Sequence, residues 1–238
     1  MTTLQEQVAE QHKHHRDVTG GWLRPAVFGV MDGLVSNSAL IAGVVGGGGS
    51  GAAVTVAGLA GLAAGAFSMA VGEYTSVASQ TELTRAEIAV ERREIARNPE
   101  AEREELALVY ESRGLSPQLA RQVAEELHKN DEVAWRVHAR EELGLDPDDL
   151  PSPWVAAGSS FAAFAVGALI PVLPFLLGVG SVAAAIVLTA LALFAAGALV
   201  ARLTTRSPLF GGTRQLALGA AAAAITYGIG HLVGQAVG

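Results

Sequence analysis

The chain has 238 residues, 50% of them hydrophobic and only 16% charged, against roughly 25% charged in a typical soluble domain. Its formal charge of −7 is concentrated in one segment: residues 82–150 hold 10 Lys/Arg and 18 Asp/Glu, while the remainder holds 6 basic and 5 acidic residues. Without clustered positive charge a nucleic-acid partner is excluded, and without a cysteine there is neither a disulfide framework nor a thiolate metal site.

Residues 1–24 read as a polar tail. The HKHHRD run lacks the apolar core and cleavage site of a signal peptide, and His12, His14 and His15 suit a solvated basic tail better than a metal site. A membrane helix needs about 20 mostly apolar residues. The first such segment covers 25–45 and carries Asp32 within it; Pro25 suits a first helical turn, where a missing N–H does no harm. The GGGGSG run at 46–51 is a turn. A second segment covers 52–79, rich in the Gly, Ala and Ser that let helix backbones approach closely. Residues 81–97 contain no Gly or Pro, so this helix continues unbroken into water until Asn98-Pro99 ends it.

The acidic segment then predicts a helix over 99–112, stopped by Gly114. Ser116 as N-cap and Pro117 at the first helical position open another, reaching about Lys129. One more covers 131–143, and GLDPDDLPSP forms a turn-rich linker. From 154 to 201 there are 48 consecutive uncharged residues, too many for one span. The stretch divides at Pro171 and Pro174 and at 178–181, giving antiparallel helices over 154–177 and 182–201. Arg202, Arg206 and Arg214 bracket the next loop, and a last apolar segment runs from there to about Val237.

Five spans place every basic region on one side of the bilayer, and the positive-inside rule makes that side the cytoplasm. The expected fold is therefore an all-α membrane protein. It has five transmembrane helices and a cytoplasmic helical insert between helices 2 and 3. Its parts are 1–24 (tail), 25–81 (helices 1–2), 82–150 (acidic insert) and 151–238 (helices 3–5). A soluble helical bundle would need amphipathic periodicity, which the long uncharged tracts lack. The absence of a eukaryotic targeting extension leans the placement toward a prokaryotic plasma membrane.

An ionisable group in hydrocarbon costs about 3 kcal/mol or more and by default marks an ion or proton route. Asp32 and Glu73 bound a stretch, 33–72, with no charged residue at all. Met69 and Glu73 lie four apart and share a helix face. Two carboxylates and a thioether suit a transition metal that accepts both oxygen and sulfur. Against this, Met69 alone reads as core filler, and both acids could sit at membrane-surface helix ends. In the insert, Glu91 and Glu94 fall at i, i+3, as do Glu102 and Glu105, with the Asn98-Pro99 turn between the pairs. Folding back there brings four carboxylates together. By spacing alone, however, a solvated acidic face partnered by Arg92, Arg93, Arg97 and Arg103 is the favoured reading. Glu125 and His128 make a single Glu-x-x-His, whereas di-iron bundles need a pair. No phosphate loop, nucleophile elbow or dinucleotide fingerprint is present, so nothing points to a hydrolase or a nucleotide-driven pump.

The runs MDGLVSNSALIAGVVGG (31–47), AGAFSMAVGEYTSVASQTE (64–82) and EELGL (141–145) resemble the vacuolar iron transporter family. The likeness extends over nearly the whole chain. It implies a homodimeric secondary transporter, not an enzyme, that exports Fe²⁺ from the cytoplasm in exchange for protons; Mn²⁺, Co²⁺ and Zn²⁺ are further expected substrates. It implies that Asp32, Met69 and Glu73 lie on the translocation path at the dimer interface. It also implies that Glu91, Glu94, Glu102, Glu105 and Glu142 bind metal on cytoplasmic helices. Family members often carry methionine four residues before the second EELGL glutamate, and this chain has His138 there. Imidazole also ligates first-row ions and titrates near neutrality. The alternatives are a membrane-anchored iron-binding or ferroxidase-like protein and a passive divalent channel.

Overall fold

A computed structural model describes residues 21–142, 144, 146–204 and 206–237. Most of the polar tail, with His12, His14 and His15, lies outside them, as do Leu143 and Leu145 of the EELGL run. Among the described residues the chain is entirely helical. In order the helices are α1 (Leu23–Gly46), α2 (Gly51–Arg97), α3 (Pro99–Ser112), α4 (Pro117–Leu127), α5 (Asp131–Glu142), α6 (Pro153–Leu176), α7 (Val182–Leu203) and α8 (Pro208–Val237). The chain divides into two compact units, Met1–Thr75 with Ser152–Gly238, and Ser76–Pro151. Helices α1, α2, α6, α7 and α8 are each long and apolar enough to cross a bilayer. This is a multi-pass membrane protein.

Helix α2 runs for 47 residues without interruption, as the absence of Gly and Pro over 81–97 requires. Helix α6 matches the expected 154–177 to within a residue, but the division expected at Pro171 and Pro174 does not occur, and two other boundaries differ from expectation. Both prolines lie inside α6. Both are buried, and surrounding helices let a membrane helix tolerate the lost N–H. The break falls beyond them, where Gly178 and Gly180 take positive φ (76° and 58°); Ser181 then caps α7 by accepting from Ala184 N at 3.2 Å. Helix α8 begins at Pro208, so Arg214 sits in its second turn rather than in the preceding loop. Helix α4 stops at Leu127 with His128 as its C-cap. Ser116 does occupy the N-cap of α4, but its hydroxyl makes no capping bond.

In the first unit α1 is the hub. It packs on α6 and α8 and touches α7. A Cβ at Gly33 would collide with the Phe164 carbonyl, and one at Gly167 with the Val30 carbonyl. The α1–α6 crossing is thus a backbone-on-backbone contact that only glycine permits, the small-residue packing expected where no aqueous hydrophobic effect drives association. At the same level Asn37 is 2% exposed. Its Nδ2 donates to the Gly58 carbonyl of α2 (3.1 Å) and the Ala168 carbonyl of α6 (2.6 Å), tying three helices together.

In the second unit Asn98 alone reverses the chain between α2 and α3, with Pro99 at the first position of α3. Leu106 and Ala107 of α3 pack on Ala120 and Ala124 of α4. Ile95 of α2 packs on Ala134 and Trp135 of α5. The Arg92 guanidinium lies 3.9 Å from the centre of the Trp135 ring, and Arg113 pairs with Glu141.

Replacing Gly167 by Val forces α1 and α6 apart. The expected loss is about 1–3 kcal/mol of stability or more, read as a lowered melting temperature of the protein purified in detergent. Gly158→Ala, where an added Cβ meets nothing within 4 Å, leaves the melting temperature unchanged.

Candidate metal sites

An open cavity of about 260 Å³ lies among the membrane helices. Asp32, Ser36, Asn37 and Leu40 of α1, Gly61, Gly65, Ser68 and Met69 of α2, and Phe164 of α6 line it. Asp32 is the tenth residue of a 24-residue helix, so a helix-end role does not apply to it. A Cβ at Gly61 would lie 2.8 Å from Asn37 Oδ1, and one at Gly65 would overlap the Phe164 ring; glycine at both points is what leaves the space open. Asn37 Oδ1 itself is buried without a hydrogen-bond partner. Because both carbonyls that hold Asn37 can only accept, the amide nitrogen is pinned and the oxygen must face the other way. The cavity is therefore lined by a carboxylate, an amide and a thioether side chain. Glu73 stands one helical turn beyond Met69 on the same face of α2 and is half-buried, but it does not line this cavity. A larger cavity of about 340 Å³, lined by residues such as Ile41, Leu193 and Leu216, contains no carboxylate.

The second constellation lies in the Ser76–Pro151 unit. The reversal at Asn98 sets Glu91 and Glu94 on the end of α2 beside Glu102 and Glu105 on α3, and α5 adds His138 and Glu142. His138 is fully buried. Its Nδ1 lies 2.7 Å from Glu142 Oε1, 3.0 Å from Glu91 Oε1 and 3.9 Å from Glu102 Oε2. Ligand atoms of Glu91, His138 and Glu142 all fall within 4.8 Å of one another. Only the Glu142 contact is a hydrogen bond from Nδ1; Glu91 Oε1 is buried with no hydrogen-bond partner. Glu94 and Glu105 are more exposed, and their charges are felt at Glu102.

Two of the four arginines expected to neutralise an acidic face are engaged elsewhere. Arg92 pairs with Glu132, and Arg103 with Glu100. Among the described residues no ion pair joins an arginine to Glu91, Glu94, Glu102 or Glu105. The consequences are electrostatic. Burial raises the Glu102 carboxyl above the usual 4.5, and the charges of Glu91, Glu105 and Glu94 push the same way against the pull of His138. Burial likewise raises Glu142, with Glu91 and Glu105 adding to it while the His138 hydrogen bond opposes. For His138 burial works downward, but the Glu91 and Glu142 carboxylates outweigh it and hold the imidazole above its usual 6.5. Carboxylates crowded together with no arginine or lysine partner, beside an imidazole, suit a divalent first-row cation.

Two participants escaped the sequence reading. Asn37 had a signal, being the sole amide side chain in the uncharged stretch 33–72. His128 was weighed only with Glu125; its Nε2 in fact lies 3.2 Å from His138 Nε2, a contact no sequence spacing announces.

Five spanning helices, with sets of metal-ligand type both among them and in the acidic unit, mark the class: a multi-pass membrane protein fitted to handle cations. Residues 23–231 match the model of the VIT family. The chain belongs to this family, the vacuolar iron transporters. It is 41% identical to a vacuolar iron transporter of Acanthamoeba castellanii over 94% of this chain and 82% of that protein. It is 32% identical to vacuolar iron transporter 1 of Arabidopsis thaliana, over 94% and 91% of the two chains. Its identity to vacuolar iron transporter 2 of Oryza sativa subsp. japonica is 31%, over 96% and 94%. These relatives are eukaryotic, and the lean toward a prokaryotic plasma membrane finds no support among them.

The shifts at His138, Glu102 and Glu142 have one sign. Each group binds its proton more tightly folded than unfolded, so the stability it contributes is complete at low pH and lost as pH rises through the folded value. In metal-free protein the unfolding of the Ser76–Pro151 unit should move to lower temperature as pH rises above 4.5 and on past 6.5, followed by the fluorescence of the buried Trp135. A saturating divalent cation should reverse the loss at the alkaline end.

Proposed function

We propose that the chain carries Fe²⁺ out of the cytoplasm in exchange for protons, as a homodimeric secondary transporter. The observation that carries this reading is the cavity between α1, α2 and α6, which sets Asp32 beside Met69 and the unpartnered oxygen of Asn37. A carboxylate among membrane helices needs a cation or a proton. Those two compete for the same oxygens, so proton arrival releases metal and metal arrival releases a proton. The thioether of Met69 favours a transition metal over Ca²⁺ or Mg²⁺. Mn²⁺, Co²⁺ and Zn²⁺ meet the same donors and are carried as well. Family membership, and relatives named as iron transporters, support iron as the principal cargo.

The Ser76–Pro151 unit faces the cytoplasm in this reading, which the distribution of Lys and Arg around the five spans supports. There Glu91, Glu94, Glu102, Glu105, His138 and Glu142 gather the ion before transport. Glu73, one turn past Met69 on the same face of α2, belongs to the same translocation path in this reading. The exposed apolar face of α2, with Val56, Phe67 and Val71, meets a second copy.

Proteoliposomes loaded with a pH indicator and a metal indicator test the exchange. Fe²⁺ entry and proton exit should proceed together in the parent. Asp32→Ala should reduce both at least tenfold; equal flux in that variant refutes the assignment of the path, and metal entry without proton movement refutes exchange. In the acidic unit, Glu91→Gln and Glu102→Gln each remove a charged oxygen ligand. Each should weaken Co²⁺ binding about tenfold or more, measured by calorimetry on the detergent-solubilised protein.

A further inference from the structure

His128 closes α4 with its ring turned back on the helix. Its Nδ1 is 2.9 Å from the Ala124 carbonyl. A carbonyl oxygen only accepts, so Nδ1 carries the hydrogen. Its Nε2 faces His138 Nε2, 3.2 Å away, with the two rings perpendicular. On His138 the carboxylate oxygens lie at the other nitrogen: Nδ1 is 2.7 Å from Glu142 Oε1 and 3.0 Å from Glu91 Oε1, so a cation held among them binds Nδ1. An imidazole bound through Nδ1 keeps its hydrogen on Nε2, and His128 Nε2 is the atom placed to accept it.

We propose that His128 is a positioning residue: by accepting from His138 Nε2–H it fixes the tautomer of His138 and leaves Nδ1 as the atom that binds metal with Glu91 and Glu142. The proposal rests on the metal-site reading of the Ser76–Pro151 unit. A ligating imidazole usually donates its other N–H to a carboxylate, carbonyl or water; here a second imidazole, itself locked by the Ala124 carbonyl, takes that part. In the metal-free site Nδ1 is hydrogen-bonded to Glu142 Oε1 at 2.7 Å. An arriving cation takes the place of that hydrogen bond, while the Nε2–H···Nε2 bond holds the ring in place. Glu91 Oε1, buried without a hydrogen-bond partner 3.0 Å from Nδ1, becomes a further ligand. The arrangement also accounts for an imidazole standing where the family resemblance sets a thioether. A thioether has no tautomer and needs no such support, whereas an imidazole does.

The test uses the full chain in detergent and Co²⁺ as the probe. His128→Ala should weaken Co²⁺ binding by about tenfold to a hundredfold. His128→Gln, whose amide oxygen can still accept, should recover most of the loss. In a His138→Met background His128→Ala should change nothing, because no tautomer is left to select. On Zn²⁺-loaded protein, ¹⁵N spectra of the histidines should place the His138 hydrogen on Nε2. Equal Co²⁺ binding by His128→Ala overturns the proposal. So does the same loss in the His138→Met background, or a metal-loaded His138 protonated on Nδ1. If the parent itself binds no Co²⁺, the metal-site reading falls first and this proposal with it.

Discussion

A carboxylate taken out of bulk water must be neutralised by a proton, a fixed cation or a metal ion, and this chain repeatedly withholds the fixed cation. Asp32 stands in the middle of a membrane helix with no arginine or lysine from 25 to 84. Glu91 and Glu102 are buried in the second unit, while every nearby arginine that forms an ion pair is turned to another acid. Burying charge without a partner is costly. A protein that does so leaves the neutralising role to species that come and go. That condition makes exchange between metal and protons chemically available at both places.

The acidic unit achieves this through where its scaffold stands. A one-residue reversal at Asn98 brings two helices together with no loop between them, so acids at i, i+3 on each are set face to face. The apolar contacts that hold the reversal lie to the sides, Ile95 on Trp135 and Leu106 on Ala120 and Ala124. Arg92 stacks on Trp135, and Arg113 is held by Glu141. These contacts supply packing while keeping positive charge away from the cluster. His138 completes the cluster from α5, and α4 brings His128 behind it.

In the membrane helices the corresponding device is glycine. Gly33 and Gly167 let α1 and α6 meet at the backbone, which fixes where Asn37 can reach. Gly61 and Gly65 do the opposite on α2, withholding side chains where the cavity needs room. Asn37 joins the two roles. Its nitrogen serves the packing of three helices, and its oxygen stays buried without a partner. Position-by-position polarity therefore reads differently here than in a soluble core, since one buried amide is a structural clamp between helices and lines the cavity as well.

Much of this was present in the residue order. Hydropathy located five spans because bilayer thickness demands about 20 apolar residues from each, whatever they pack against. The gap in Gly and Pro over 81–97 foretold the continuity of α2, and the i, i+3 spacing of the glutamates followed from helix geometry. Pro171 and Pro174 misled because a proline's local cost can be absorbed by neighbouring helices, which composition does not reveal. Arg214 looked like a loop residue because charge, not helix register, was the visible signal. Residue order alone thus sets the helices and the chemical kinds of donor they carry. Which donors meet depends on the folded arrangement. It paired the arginines away from Glu91 and Glu102, left Glu73 outside the Asp32–Met69 cavity, and brought His128 to His138. Helix formation depends on neighbours within four residues, while countercharge, cavity and tautomer depend on atoms brought together from distant parts of the chain.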